Sequence, residues 1–156
     1  MAIEVGDRIE FTLKNQDGEE VSAASLHGKP VVLFVYPRAD TPGCTIEACE
    51  FRDVYSQLRK AGATLLGISR DTPGKQKRFA EKYSLPYPLL ADPEMSVLQQ
   101  LGVVGQGSMY GKPVTKIERS TFVLDKDGRL AAEFRAVKPE GHAEQMVAAV
   151  KKLGRA

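Results

Sequence analysis

Two cysteines five residues apart, Cys44 and Cys49, are the residues of this sequence best suited to covalent chemistry. Cys44 follows an apolar run, Val31 to Tyr36, and precedes a segment of helical periodicity from Thr45 to about Ala61. It therefore stands where a strand ends, a short loop turns and a helix begins. The first N–H groups of a helix have no intrahelical partner, and the helix dipole favours negative charge there. That suits a sulfur that must work as a thiolate, the nucleophilic form. Thr41, three residues earlier, carries a hydroxyl that can donate and accept at once. Pro37 and Pro42 stiffen the loop and remove two backbone donors, leaving the N–H of Cys44 among the remaining anion contacts. Without this setting, two cysteines on a helix read as small buried hydrophobes.

The elements that must position this loop can be followed along the chain. Residues 8 to 14 alternate apolar and polar, as a half-buried strand does, and Glu19 to Val21 could return as a hairpin across Asn15-Gln16-Asp17-Gly18. Val31 to Tyr36 is apolar on both faces and reads as a central strand. In the helix after Cys44, Val54, Leu58 and Ala61 share a face beside Phe51 and Tyr55, and Gly62 is a stop. Thr64 to Ser69 reads as a second buried strand. Asp71 or Thr72 caps a helix that Pro73 opens and that runs to about Tyr83. Leu85 to Ala91 holds two prolines and reads as an extended or edge segment. Asp92-Pro93 starts another helix, ending near Leu101-Gly102. Val103 to Pro113, rich in glycine, reads as a loop. Ser120 to Leu124 and Arg129 to Val137 form a second hairpin, and a last helix runs from about Gly141 to Leu153. This order predicts an α/β domain with a mixed central β-sheet, helices on both faces and an N-terminal β-hairpin.

Composition narrows the function classes. A chain of 156 residues with 42% hydrophobic and 27% charged residues suits one globular domain, residues 1–156. The net charge of +2 comes from mixed signs, without the basic stripe that nucleic acid or an anionic membrane would require. No apolar run approaches the roughly 20 residues of a membrane span. The N-terminus lacks the basic and apolar regions of a secretory signal, so a cytoplasmic protein is expected. In that compartment a cysteine pair is catalytic or metal-binding rather than structural. A zinc site is disfavoured, because two cysteines with the distant His27 and His142 do not make the usual four-ligand spacing. No cofactor is expected.

Pro37, Thr41 and Cys44 match the Pro-x-x-x-Thr-x-x-Cys motif of the peroxiredoxins, and Cys49 is placed as in the bacterioferritin comigratory protein, or peroxiredoxin Q, subfamily. The string from Thr41-Pro42-Gly43-Cys44-Thr45 to Glu47-Ala48-Cys49-Glu50-Phe51-Arg52-Asp53 resembles that subfamily closely. Arg38 and Ala39 depart from its commoner residues at positions outside the motif. The resemblance implies a thioredoxin-like fold and a thiol-dependent peroxidase acting on hydrogen peroxide and organic hydroperoxides. Cys44 would be the peroxidatic cysteine, shielded by Pro37, with Thr41 holding a peroxide oxygen. The family's arginine maps to Arg119, before the apolar run Phe122-Val123-Leu124, where it could keep the sulfur anionic and bind the peroxide in an open pocket between them. By itself Arg119 reads as a surface residue.

The resemblance further implies that a Cys44 sulfenic acid is resolved by Cys49 as a disulfide. Five residues of ideal helix put the two Cα atoms roughly 8–9 Å apart, from about 1.5 Å rise and 100° per residue. A disulfide needs less than about 7 Å, so the first turn would have to unwind. Thioredoxin or a glutaredoxin-like dithiol protein would reduce the bridge, and a monomer is implied. Two other classes stay open: a thiol–disulfide exchange protein or redox-regulated holdase, and a binding domain with inert cysteines. His27 and His142 read as solvated. Glu47 reads as an exposed helix carboxylate, with a part in the Arg119 network as the alternative. Tyr36 and Phe51 read as core.

Overall fold

In the computed structural model, which describes residues 3–154, the strand running from Val31 to Val35 is the axis of the molecule. Every one of its residues is buried. Successive side chains of a strand point to opposite faces, so an unbroken apolar run demands cover on both sides. Val32, Phe34 and Tyr36 enter one cluster, while Val31, Leu33 and Val35 enter another.

The strands in chain order are β1 (Thr12–Asn15), β2 (Glu20–Ser22), β3 (Val31–Val35), β4 (Thr64–Ser69), β5 (Leu89–Ala91), β6 (Val104–Met109), β7 (Lys112–Ile117), β8 (Ser120–Leu124) and β9 (Leu130–Phe134). The helices are α1 (Pro42–Lys60), α2 (Pro73–Tyr83), α3 (Ser96–Gln100) and α4 (His142–Gly154). Seven strands form one sheet in the order β2-β1-β5-β4-β3-β8-β9. β3, β4 and β5 are parallel, and β1 and β8 flank them antiparallel. The first cluster is made by α1, α2 and α4 against the sheet, and the second by α3 and the N-terminal residues Ile3 and Ile9 on the opposite face. Helices on both faces of a mixed sheet, and the hairpin of β1 and β2, are as the sequence predicts.

α1 is pressed to the sheet by Phe51, whose ring stacks on Phe34 at a centroid distance of 4.4 Å. Truncating such a buried aromatic costs about 3–5 kcal/mol, so this contact fixes where the helix start lies. Gly62 ends the helix at φ +86°, a left-handed conformation that glycine adopts without penalty.

Three expectations are corrected and one open choice is decided. α1 begins at Pro42, not Thr45, because proline's missing N–H and fixed φ suit the first helical position. β5 is not an edge strand: it lies between β1 and β4, with Pro86 and Pro88 just ahead of its apolar residues. The 103–113 segment is not a loop. It forms the hairpin of β6 and β7, turned at Tyr110 and Gly111 with φ of 52° and 77°, the pair of positive values a tight hairpin uses. Of the two residues expected to cap α2, Thr72 is the cap, accepting from the Lys75 N–H, while Asp71 turns elsewhere.

Candidate active site

The loop between β3 and α1 is tied down at successive residues. The Ala39 N–H donates to Asp71 Oδ2 at 2.7 Å, and the Ser69 hydroxyl donates to the same oxygen at 2.6 Å. Behind them Gln76 Nε2 donates to Ser69 Oγ and to the Leu90 carbonyl, and the Tyr36 hydroxyl donates to Gln76 Oε1. This buried network satisfies the polar groups of β4 and α2 and anchors the loop to both. Asp40, held in a left-handed conformation at φ 60°, accepts from Lys82 Nζ at 2.9 Å and from the Tyr83 hydroxyl at 2.8 Å. Those two bonds, Lys82 first, lower the Asp40 carboxyl below its ordinary range. The Thr41 hydroxyl donates to the Arg38 carbonyl at 2.9 Å.

α1 then starts with Pro42 at its first position. The Thr45 N–H is the first to reach a carbonyl one turn back, that of Thr41, at 2.8 Å. The N–H groups of Gly43 and Cys44 stand at the open end of the helix dipole. Cys44 is 1% exposed and Cys49 is half-buried, and both are free thiols. They lie on one unbroken helix.

Arg119, between β7 and β8, brings the cation. Its Nη2 donates to Cys44 Sγ at 3.4 Å and its Nη1 to Glu47 Oε1 at 3.0 Å. Gly43 makes room for this fork, since a Cβ there would meet Nη2 at 3.0 Å and Pro139 Cγ at 3.5 Å. Burial works against the guanidinium's charge, but the sulfur and the Glu47 carboxyl outweigh it and raise its proton affinity above the ordinary value. Thus Arg119 meets Cys44 and Glu47 at the start of α1, with Thr41 at the helix cap, Pro37 earlier in the same loop and Cys49 farther along the same helix.

Three expectations about this corner are corrected. Glu47 is wholly buried, not exposed, and burial lifts its carboxyl to about 7 against the opposing pull of Arg119. Its Oε2 has no hydrogen-bond partner among the described residues. His142 is buried as well, not solvated: its Nε2 meets Thr121 Oγ1 at 2.6 Å and its Nδ1 meets Gln145 Oε1 at 3.3 Å. Burial pushes its proton affinity down, and the nearby Arg119 charge adds to this. Finally, the space between sulfur and arginine is not an open pocket. The guanidinium itself closes it, and the Arg119 side chain, 15% exposed, is the member of the pair that meets solvent.

The AhpC/TSA family model matches residues 5–133. The chain belongs to the peroxiredoxins. It is 44% identical over 132 residues to Peroxiredoxin Bcp of Escherichia coli (strain K12), covering 85% of each chain. Among solved structures, Xanthomonas campestris Peroxiredoxin Q superposes with a TM-score of 0.90 at 33% identity, covering 97% of both chains. A second X. campestris structure is as similar, with a TM-score of 0.90, 33% identity, and 97% and 98% of the two chains covered. It is a bacterioferritin comigratory protein described for its alkyl peroxide reduction activity from trapped intermediate and ligand complexes. The thioredoxin-like fold and the thiol-dependent peroxidase activity implied by the sequence motif are thus those of this peroxiredoxin. Among the described residues no cluster of His, Cys, Asp and Glu is built to hold a metal ion.

Proposed function

We propose that this peroxiredoxin reduces hydrogen peroxide and organic hydroperoxides with Cys44 as the attacking sulfur and Cys49 as the resolving one. The observation that carries the assignment is the Arg119 fork, which touches Cys44 Sγ with one nitrogen and Glu47 with the other. The Cys44 thiolate attacks one oxygen of the O–O bond. That oxygen stays on sulfur as sulfenate, and the other leaves as alkoxide or hydroxide, taking a proton to become alcohol or water. Positive charge and N–H donors fixed where negative charge develops lower such a barrier more than any other single device. Arg119 and the N–H groups at the start of α1 supply them, and the Thr41 hydroxyl orients the peroxide. Because the guanidinium lies over the sulfur, a peroxide must slip beneath it, which favours small or slender hydroperoxides. Pro37 keeps water from the sulfur.

The Cys44 sulfenic acid then condenses with the Cys49 thiol, forming the disulfide and releasing water. Both cysteines lie on intact helix, so the first turns of α1 must open for the sulfurs to meet. A dithiol protein, thioredoxin or glutaredoxin-like, reduces the bridge by exchange, itself ending as a disulfide. The working unit is a monomer.

Reduced protein mixed with one equivalent of peroxide, and no other reductant, tests this reading. Consumption of about one equivalent with formation of the Cys44–Cys49 bridge supports it. A protein that needs a disulfide partner before its thiols react is an exchange protein instead, and one that leaves peroxide untouched has inert cysteines.

A further inference from the structure

The surface where the catalytic loop meets α2 and the end of β7 carries a concentration of positive charge that the peroxidase reading leaves unused. Two hollows adjoin there, of about 710 and 400 Å³, sharing Arg38, Asp71 and Lys75. The first has Pro37 in its wall, with Arg70 and Lys116, and the second is flanked by Arg78 and Lys82. Arg38, Arg70, Lys75, Arg78 and Lys116 are all exposed, and none makes a salt bridge among the described residues. The two carboxylates that reach this side are occupied: Asp71 by the Ala39 N–H and Ser69, Asp40 by Lys82 and Tyr83. The result is a surface of one sign on a chain whose net charge is only +2.

The charges are spread along the rim of two hollows rather than converging on a point, and every unpaired one is solvent-facing. That suits an extended acidic surface more than a single small anion. The surface also borders the loop that leads to Cys44, and α2, which supplies Lys75 and Arg78, grips that loop at Asp40 through Lys82 and Tyr83. A partner seated here would lie beside the segment that must open to expose the disulfide. We propose that this basic face is where the dithiol protein that reduces the enzyme docks, through an acidic rim around its own reactive cysteines. The proposal rests on the peroxidase reading above, since only a cycling disulfide needs such a partner. Complementary charge of this kind raises association rates by roughly 10- to 1,000-fold at low salt and is screened as salt rises.

The test compares two reductants in steady-state peroxide consumption: an acidic thioredoxin with its reductase, and dithiothreitol. With the wild type, kcat/KM for thioredoxin should fall about fivefold or more between roughly 0.05 and 0.5 M salt. The Lys75→Glu/Arg78→Glu variant should lose about tenfold or more at low salt, with the salt dependence flattened. Its dithiothreitol-driven rate should stay at the wild-type value, which also shows that it is folded. Lys75→Ala/Arg78→Ala should show a smaller loss in the same direction. Lys151→Glu/Lys152→Glu, on α4, should change neither reductant. Thioredoxin kinetics indifferent to both the charge reversal and salt would overturn the proposal. So would a wild type that dithiothreitol reduces and thioredoxin does not, or a loss of equal size with both reductants, which would place the charges in peroxide handling. A wild type that consumes no peroxide even with dithiothreitol would instead contradict the peroxidase reading itself.

Discussion

The two cysteines share one helix and differ in almost everything around them. Cys44 is 1% exposed, at the open end of the helix, under a guanidinium 3.4 Å from its sulfur. The loop leading to it is held at Ala39 by Asp71 and at Asp40 by Lys82 and Tyr83. Cys49 is half-buried and no hydrogen bond holds its sulfur among the described residues. The ties nearest it belong to its neighbours: the Ala48 carbonyl accepts from the Tyr87 hydroxyl at 2.6 Å, and the Glu50 carboxylate accepts from the Gly141 N–H at 2.8 Å. The loop before Cys44 is thus clamped by Asp71, Lys82 and Tyr83, while Cys49 is held through its helix neighbours, Ala48 by Tyr87 and Glu50 by Gly141. Attack needs geometry fixed in advance, whereas resolution needs the turn between the cysteines to open, at the cost of uncovering the buried Glu47 and Ala48.

That contrast can be broken most severely at Cys44 itself. Cys44→Ser should abolish turnover with any reductant, measured by peroxide consumption. Arg119→Ala should come next, slowing single-turnover attack on peroxide by about 10²–10³-fold, the range seen when one charge-stabilising donor is lost. A rate within twofold of wild type would remove Arg119 from the site. Cys49→Ser separates the halves of the cycle: one equivalent of peroxide should still be consumed at the wild-type rate, with a sulfenic acid trapped by dimedone, while thioredoxin-linked turnover is lost. Gly43→Ala is subtler. Its methyl would press on Arg119 Nη2 at 3.0 Å, so attack should slow about tenfold while melting temperature barely moves.

Glu47 gives the smallest and most pH-specific effect. Burial raises its folded-state carboxyl to about 7, above its ordinary unfolded value, so the folded protein holds a proton that the unfolded chain has released. Its contribution is fully present below the unfolded value near pH 4.5 and is lost as pH rises through about 7. Stability should decline over that window by on the order of 2–3 kcal/mol from this group. Glu47→Gln should flatten that part of the profile in denaturant titrations at pH 5, 6, 7 and 8. An unchanged slope would contradict the buried, proton-holding role.

Much of this arrangement is legible in the residues. The double-faced apolar run of β3, the Pro37-Thr41-Cys44 spacing and the strand start at Arg119 each point to where the structure puts them. Glu47 escapes because a helix carboxylate is read as exposed by its type, although its spacing of four from Phe51 and seven from Val54 already puts it on the buried face. His142 escapes for a different reason: its partner Thr121 is 21 residues away, and no local pattern encodes that pairing. Asp71 looks like a helix cap from its place before Thr72-Pro73, yet its carboxylate reaches 32 residues back to Ala39. The prolines before β5 and the glycines of β6 and its turn mislead in the same way. They report local backbone preference, while the pairing of those strands is set by partners elsewhere.

The central claim is tested most directly by mass. Fully reduced protein is mixed with one equivalent of hydrogen peroxide, quenched within seconds, and measured intact and after digestion. The expected result is a loss of about 2 Da, from the two thiol protons, carried by a linked peptide joining Cys44 to Cys49. An unchanged mass with peroxide still in solution, or an oxidised adduct on Cys49 while Cys44 stays reduced, would contradict it.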